Sequence, residues 1–154
     1  PLYSSAASDV YKRQIEHECA RLVTSYCHYI DHGSAERVAE LFSEDAVWSS
    51  AEATFNGRDE IRRAMAEREA NQARMSRHVC NNLLIDVIDE NTASGVVYLT
   101  LYRHDGKEGR RLSPLEGPLM VGEYQDQFRR DPEGWRITHR EAVLDFLRRD
   151  TPPA

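Results

Sequence analysis

The second half of this chain most narrows what it can fold into. Residues 77–89, 93–103, 119–130 and 135–148 are long runs with the β-branched, aromatic and alternating character of strands. Asp89-Glu90-Asn91 separates the first two runs and Asp131-Pro132-Glu133-Gly134 the last two, each with the residue types of a hairpin turn. Residues 104–118, between the middle runs, form a loop with Gly and Pro, of the kind that often closes a pocket.

The first half carries helical spacing. Ile15, Cys19, Leu22, Val23, Tyr26 and Ile30 recur at three- and four-residue intervals, which predicts a helix over 15–32 with its apolar stripe centred near Tyr26. Gly33 is a stop signal, and Ser34 can cap a second helix over 35–42. After a turn at Ser43-Glu44-Asp45, residues 46–50 read as a strand. Asn56-Gly57 is a turn that leads into a helix over 59–71 carrying Ile61, Ala64, Met65 and Arg68. Three helices followed by a meander of long strands make an α+β domain. No internal repeat, second domain or linker is visible, and 151–154 is a tail.

Length and charge exclude several classes. At 154 residues and 17.7 kDa the chain is a single domain large enough for a core. Its net charge of −6 argues against nucleic acid as the partner, and Arg129-Arg130 and Arg148-Arg149 are too short to reverse that. No apolar run approaches a membrane span, so no membrane partner is expected. Cys19, Cys27 and Cys80 have no paired spacing and read as reduced thiols of a cytoplasmic protein.

The opening residues stand apart. Ser4 to Gln14 is the translation, over eleven consecutive codons, of a string resembling the adapter and transposon mosaic end used to fragment DNA for sequencing. Residues 1–14 are therefore expected to be adapter-derived, from an assembled environmental (metagenomic) sequence. The natural domain is expected over 15–150.

The phrases AELFSEDAVW, NGRDEI and EYQDQFRRDPEGWRI, in this element order, resemble the SnoaL-like branch of the nuclear transport factor 2-like superfamily. The resemblance covers nearly everything from Ile15 to Arg148. It implies a cone-shaped α+β barrel, with three helices packed on a curved, mostly antiparallel sheet around one pocket. That fold hosts polyketide cyclases, steroid isomerases, dehydratases, dehydrohalogenases and non-enzymatic subunits, so chemistry has to be argued from the site.

In scytalone dehydratase, bile-acid 7α-dehydratase and hexachlorocyclohexane dehydrochlorinase, an Asp ending the first helix pairs with a His at the start of a strand. Asp31 and His78 fall on those positions, and HVCNNL around His78 is similar to the dehydrochlorinase strand. Tyr26 matches a Tyr of the bile-acid enzyme, and Arg140 lies near its functional Arg. The chemistry is coherent on its own terms. A His can remove a proton at neutral pH, an adjacent carboxylate fixes its tautomer and stabilises the imidazolium, and a Tyr hydroxyl can donate to a developing oxyanion. Asp31 sits where the helix dipole disfavours an anion by roughly 0.3–1 kcal/mol, which a protonated His78 would offset. The competing reading is a surface Asp with a core His bonded to backbone.

By period two, Cys80 and Asn82 share the face of His78 and are candidate pocket lining, with Trp48, Tyr98 and Met120 as further substrate-binding candidates. Trp48 and Met120 belong to residue types that are more often core than substrate wall. His28 and His32 have the i, i+4 spacing of a metal pair, but the helical wheel places them on the polar face, so no metal is expected. Helper residues map less well: the acids of ketosteroid isomerases and the second His of scytalone dehydratase have no counterpart.

The expectation is a cofactor-independent lyase or isomerase acting on a small, apolar, oxygenated molecule such as a polyketide, steroid or aromatic compound. His78, Asp31, Tyr26 and Arg140 would be its catalytic set. Elimination is favoured over isomerisation or cyclisation because the precedents for the dyad eliminate. The rival is a non-catalytic binding protein or dioxygenase-β-like subunit, which a backbone-bonded His78 or a filled pocket would favour. A homo-oligomer, dimer or trimer through the open sheet face, is expected by resemblance.

Overall fold

In the computed structural model, which describes residues 2–106 and 112–149, a long first helix, α1 (Leu2–Asp31), leads into α2 (Ala35–Glu40). There follow β1 (Phe42–Ser50), β2 (Thr54–Asn56), α3 (Arg58–Ala70), β3 (Arg74–Val87), β4 (Thr92–Asp105), β5 (Met120–Asp131) and β6 (Gly134–Leu147). The strands form one unclosed, mixed six-stranded sheet in the order β2-β1-β6-β5-β4-β3. β1 runs parallel to β6, and every other neighbouring pair is antiparallel. This is the expected α+β arrangement of three helices on a curved sheet.

Differences from the sequence reading lie at element edges. β1 starts at Phe42, where a second helix was expected to end, because Ile137 N–H on β6 takes the Leu41 carbonyl at 2.9 Å. β2 was not anticipated. It exists because Phe55 lies opposite Trp48 and their rings stack at 5.3 Å. α1 runs unbroken through residues 2–14, yet among the described side chains burial begins at Ile15, and of those before it only Tyr11 rests on the edge of the core. The tail at 151–154 and residues 107–111 of the loop lie outside the described residues.

α1 lies across β3 and β6, while α3 covers β1 and β2 and packs on α2. The predicted stripe of α1 is the buried one: Ile15, Cys19, Val23, Tyr26 and Ile30 join Phe42, Ile61, Val97, Leu99, Phe128 and Ile137 in a single core. Alternation along β4 turns Ala93, Val97, Leu99 and Leu101 inward.

The core has a charged centre. One row across the sheet reads Phe55, Trp48, Arg140, Asp126, Gly95 and Ile85. Arg140 and Asp126, directly opposite on β6 and β5, are fully buried and meet in two bonds, Nε–Oδ1 at 2.7 Å and Nη2–Oδ2 at 2.6 Å. The Arg140 guanidinium also lies 4.3 Å from the Tyr26 ring centre and 4.2 Å from that of Tyr124. Burial works against its charge, and the Asp126 carboxylate more than offsets that, so its pKa is raised. Removing only Asp126 would strand a buried cation. Asp126→Ala is therefore expected to lower the unfolding free energy by about 3–5 kcal/mol, measured by urea denaturation.

Candidate active site

The site begins where α1 ends. Gly33 adopts φ +64°, and Ser34 N–H reaches back to the Tyr29 carbonyl at 3.1 Å, the closing bond of a Schellman stop. Asp31 thus becomes the last helical residue, facing β3. Its Oδ2 accepts the backbone N–H of His78 at 2.8 Å. Its Oδ1 meets Nδ1 of His78 at 2.6 Å and accepts the Ser76 hydroxyl at 2.8 Å. Both side chains of the dyad are nearly dry, 6% exposed for His78 and 5% for Asp31.

Burial alone would raise the Asp31 pKa. The side-chain bond and charge of His78, its backbone N–H and the Ser76 hydroxyl outweigh that and hold the carboxyl below its ordinary value. An ionised carboxylate only accepts hydrogen bonds, so in neutral His78 the hydrogen sits on Nδ1 and Nε2 keeps its lone pair.

His78 opens onto a cavity of about 360 Å³, within the size range of small-molecule sites. Its apolar walls include Ile30, Trp48, Phe55, Met65, Leu101 and Met120, with Tyr26, Tyr124, Arg68 and Arg74 among its polar lining. Gly122 shapes the floor: a Cβ there would lie 2.0 Å from the Val143 carbonyl oxygen, so only glycine allows β5 and β6 to approach at their bulge. Tyr26 is buried, and burial raises its pKa although Arg140 pulls the other way. Its hydroxyl therefore stays protonated at neutral pH. The buried indole N–H of Trp48 bears on the same hydroxyl and, like Arg140, draws its pKa down against burial.

The structure brings Tyr26, Asp31, His78, Trp48 and Met120 together and separates the other candidates. Asn82 does not line the pocket. It occupies a bulge of β3 with φ +54°, where Asn82 and Leu83 oppose one residue of β4, and it faces solvent. The bulge shifts the alternation, so Leu83, Ile85 and Val87 continue the inward face that Ser76, His78 and Cys80 begin. Tyr98 is 51% exposed on the outer sheet face, opposite Asn81 and Glu123, because its neighbours Val97 and Leu99 take the inner positions.

Cys80 turns to α1 instead of the cavity, and the Cys27 thiol donates to its sulfur at 3.3 Å. That bond and burial push the Cys27 thiol up. Arg140 lies beneath the cavity, with Asp126, and does not line it. His28 and His32 are exposed and stacked, with His32 Nδ1 bonded to the His28 carbonyl. Of the loop, Ser113 to Gly117 flank a separate small cleft beside Tyr102 and Arg148.

Sequence reasoning missed Ser76 and Arg68. Arg68 donates to the Ile30 carbonyl at 2.7 Å and to Ser76 Oγ at 2.6 Å. The signals were present, since Ser76 is two residues from His78 and Arg68 lies on the helical stripe of Ile61 and Met65.

The depressed Asp31 pKa sets a pH dependence. The stability it contributes is complete above its unfolded value near 3.8 and is lost as pH falls through the lower folded value. Asp31→Asn removes that contribution. Its urea midpoint is expected to fall less steeply than the wild type's between about pH 5 and pH 2, in denaturation curves at stepped pH.

The architecture has solved counterparts. An NTF2-like protein with a cystatin-like fold from Novosphingobium aromaticivorans is 26% identical, with a TM-score of 0.77 over 92% of this chain and 88% of that one. A scytalone-dehydratase-like protein from the same organism is 21% identical, with a TM-score of 0.80 over 95% and 94%. A hexachlorocyclohexane dehydrochlorinase (LinA type 2) is 13% identical, with a TM-score of 0.75 over 95% and 93%. Among curated proteins none matches the chain. Residues 13–141 match the SnoaL-like domain, and the chain belongs to that family.

Proposed function

We propose that this protein is a lyase or isomerase that removes a proton from a small, apolar, oxygenated molecule with Nε2 of His78 as the base. The observation that carries this reading is the 2.6 Å bond from His78 Nδ1 to a dry, ionised Asp31, at the wall of an open cavity. Neither circumstance of the rival reading applies. His78 is held by a carboxylate, and the cavity is not filled by core side chains.

In an elimination, His78 takes the proton of a C–H bond, whose electrons form the new C=C bond as the leaving group departs with its own pair. Asp31 stabilises the imidazolium. For a hydroxyl leaving group, the imidazolium returns the proton and water leaves. For a halide, the anion leaves and the proton passes to solvent. Tyr26 is the hydroxyl donor to the substrate oxygen or leaving group, while Trp48 and Met120 bind its apolar body. Arg140 acts as a positioning residue, fixing the Tyr26 ring from below. The dehydrochlorinase and scytalone-dehydratase-like neighbours favour elimination over isomerisation.

The outer sheet face supports a homo-oligomer. Val79, Thr100, Val121 and Phe146 form one row across four strands, and Phe146 is 69% exposed. Phe146→Glu is expected to reduce the assembly to monomers in light scattering after size exclusion. A wild type that is already monomeric would rule the oligomer out.

His78→Gln tests the mechanism. Turnover of an authentic substrate should fall by roughly 10²- to 10⁴-fold or more, with the thermal midpoint near the wild type's. Turnover retained by this variant would sink the assignment.

A further inference from the structure

The buried charges around the dyad do not all have partners. Arg74, at the edge of the same cavity, is tied to Asp105 at 2.8 Å, and Arg140 beneath it to Asp126. Arg68 differs. It is half-buried on the inner face of α3, lines the cavity with His78 and Tyr26, and has no carboxylate within ion-pair distance among the described residues. Two of its N–H groups go to the Ile30 carbonyl and the Ser76 hydroxyl. A guanidinium carries five, so donors remain. Its charge bears on the Tyr26 hydroxyl, drawing that group's pKa down against burial.

Charge balance then says what the cavity is built to receive. Through Ser76, Arg68 is one hydroxyl away from Asp31, and with neutral His78 the two charges cancel. When His78 takes a proton, the group gains one positive charge. Glu52 also lines the cavity but is exposed, where solvent screens its carboxylate, so the matching negative charge arises on the substrate. A ligand that arrives as an anion would unbalance the resting site, whereas a neutral carbonyl compound supplies the negative charge at the moment of proton transfer.

We infer that Arg68 is a further catalytic residue, whose free N–H groups receive the carbonyl oxygen that becomes an enolate as His78 removes the adjacent proton. The substrate class is accordingly a neutral, apolar ketone or ester-like carbonyl compound with an acidic neighbouring C–H bond. The C–H electron pair moves into the new C=C bond, the carbonyl π pair moves onto oxygen, and the proton resides on His78 Nε2. This inference rests on His78 as the base.

A phenol and its methyl ether separate the two readings. 4-Nitrophenol presents a planar oxygen whose ionisation is visible in its absorption, and 4-nitroanisole has the same ring without that proton. The wild type should bind the phenol at least about tenfold more tightly than the ether, and the bound phenol should ionise at lower pH than the free one. Arg68→Met should lose roughly 10- to 100-fold in phenol affinity, together with the ionisation shift, while still binding the ether. Arg68→Lys, which keeps the charge, should restore part of both. His78→Gln should leave the ionisation shift in place.

Equal binding of phenol and ether by the wild type would overturn the role of Arg68 and leave His78 as a candidate base. So would an unchanged preference in Arg68→Met. If Arg68→Met binds neither probe, Arg68→Lys decides, and its failure to recover the preference would count against the inference. If the wild type binds neither probe, the cavity is not a site for such ligands, and both readings fall.

Discussion

The buried ion pair of Arg140 and Asp126 is the constraint around which the domain is arranged. A guanidinium with no exposure is tolerable only if its charge is matched and its faces are covered. The register of β5 against β6 matches the charge by placing the two residues directly opposite one another. Tyr26 from α1 and Tyr124 from β5 cover the faces. A slip of one residue in that strand pair would leave the cation without its carboxylate, so the pair specifies register as well as contributing energy. It also anchors the helix, because Tyr26 is the middle of the apolar stripe of α1.

With α1 seated on Arg140, the place where the helix stops decides the chemistry. The Gly33 turn makes Asp31 the last residue of the helix, and the carboxylate crosses to β3 to take one backbone N–H, one imidazole N–H and one hydroxyl. These donors replace the water the carboxylate loses. They also compensate for its position at the unfavourable end of the helix dipole. The dyad thus joins α1 to the sheet and sets the tautomer of His78 in one set of bonds. A carboxylate placed to hold the helix is thus also placed to orient His78, the proposed base.

Much of this was legible in the residues, and the parts that were not share a cause. The stripe from Ile15 to Ile30 and the two hairpins rest on local spacing, and local spacing survives folding, whereas the pairing of Asp31 with His78, 47 residues apart, came from the family resemblance. Asn82 was misplaced because period-two reasoning assumes an unbroken strand, and one extra residue beside Val97 reverses the alternation. Tyr98 was offered as a substrate-binding candidate, although Val97 and Leu99 on either side had to point inward.

Arg140 was expected in the catalytic set, whereas it lies beneath the cavity, bonded to Asp126. Nothing local in the sequence says that Asp126, fourteen residues earlier, would bury it. β2 was invisible for a similar reason: a three-residue strand is made by the stacking of Phe55 on Trp48, a contact that exists only once the chain has turned. Arg68 was read as a member of an apolar stripe. A charged residue at that position was the signal that something polar, in this case Ser76 and the Ile30 carbonyl, waited on the other side.

The two tyrosines on Arg140 show how the buried cation shapes the cavity without entering it. Their faces meet the guanidinium, and burial keeps both hydroxyls protonated well beyond neutral pH. For Tyr26 the cation works in the opposite direction, favouring negative charge near the ring. A hydroxyl under those two influences remains a donor while its proton is less tightly held than burial alone would dictate. That is the condition for a strong hydrogen bond to an oxygen acquiring charge. Replacing Arg140 with an apolar residue of similar volume would therefore affect more than stability. It would leave Tyr26 in place but bury it without the cation, weakening it as a donor in the proposed reaction.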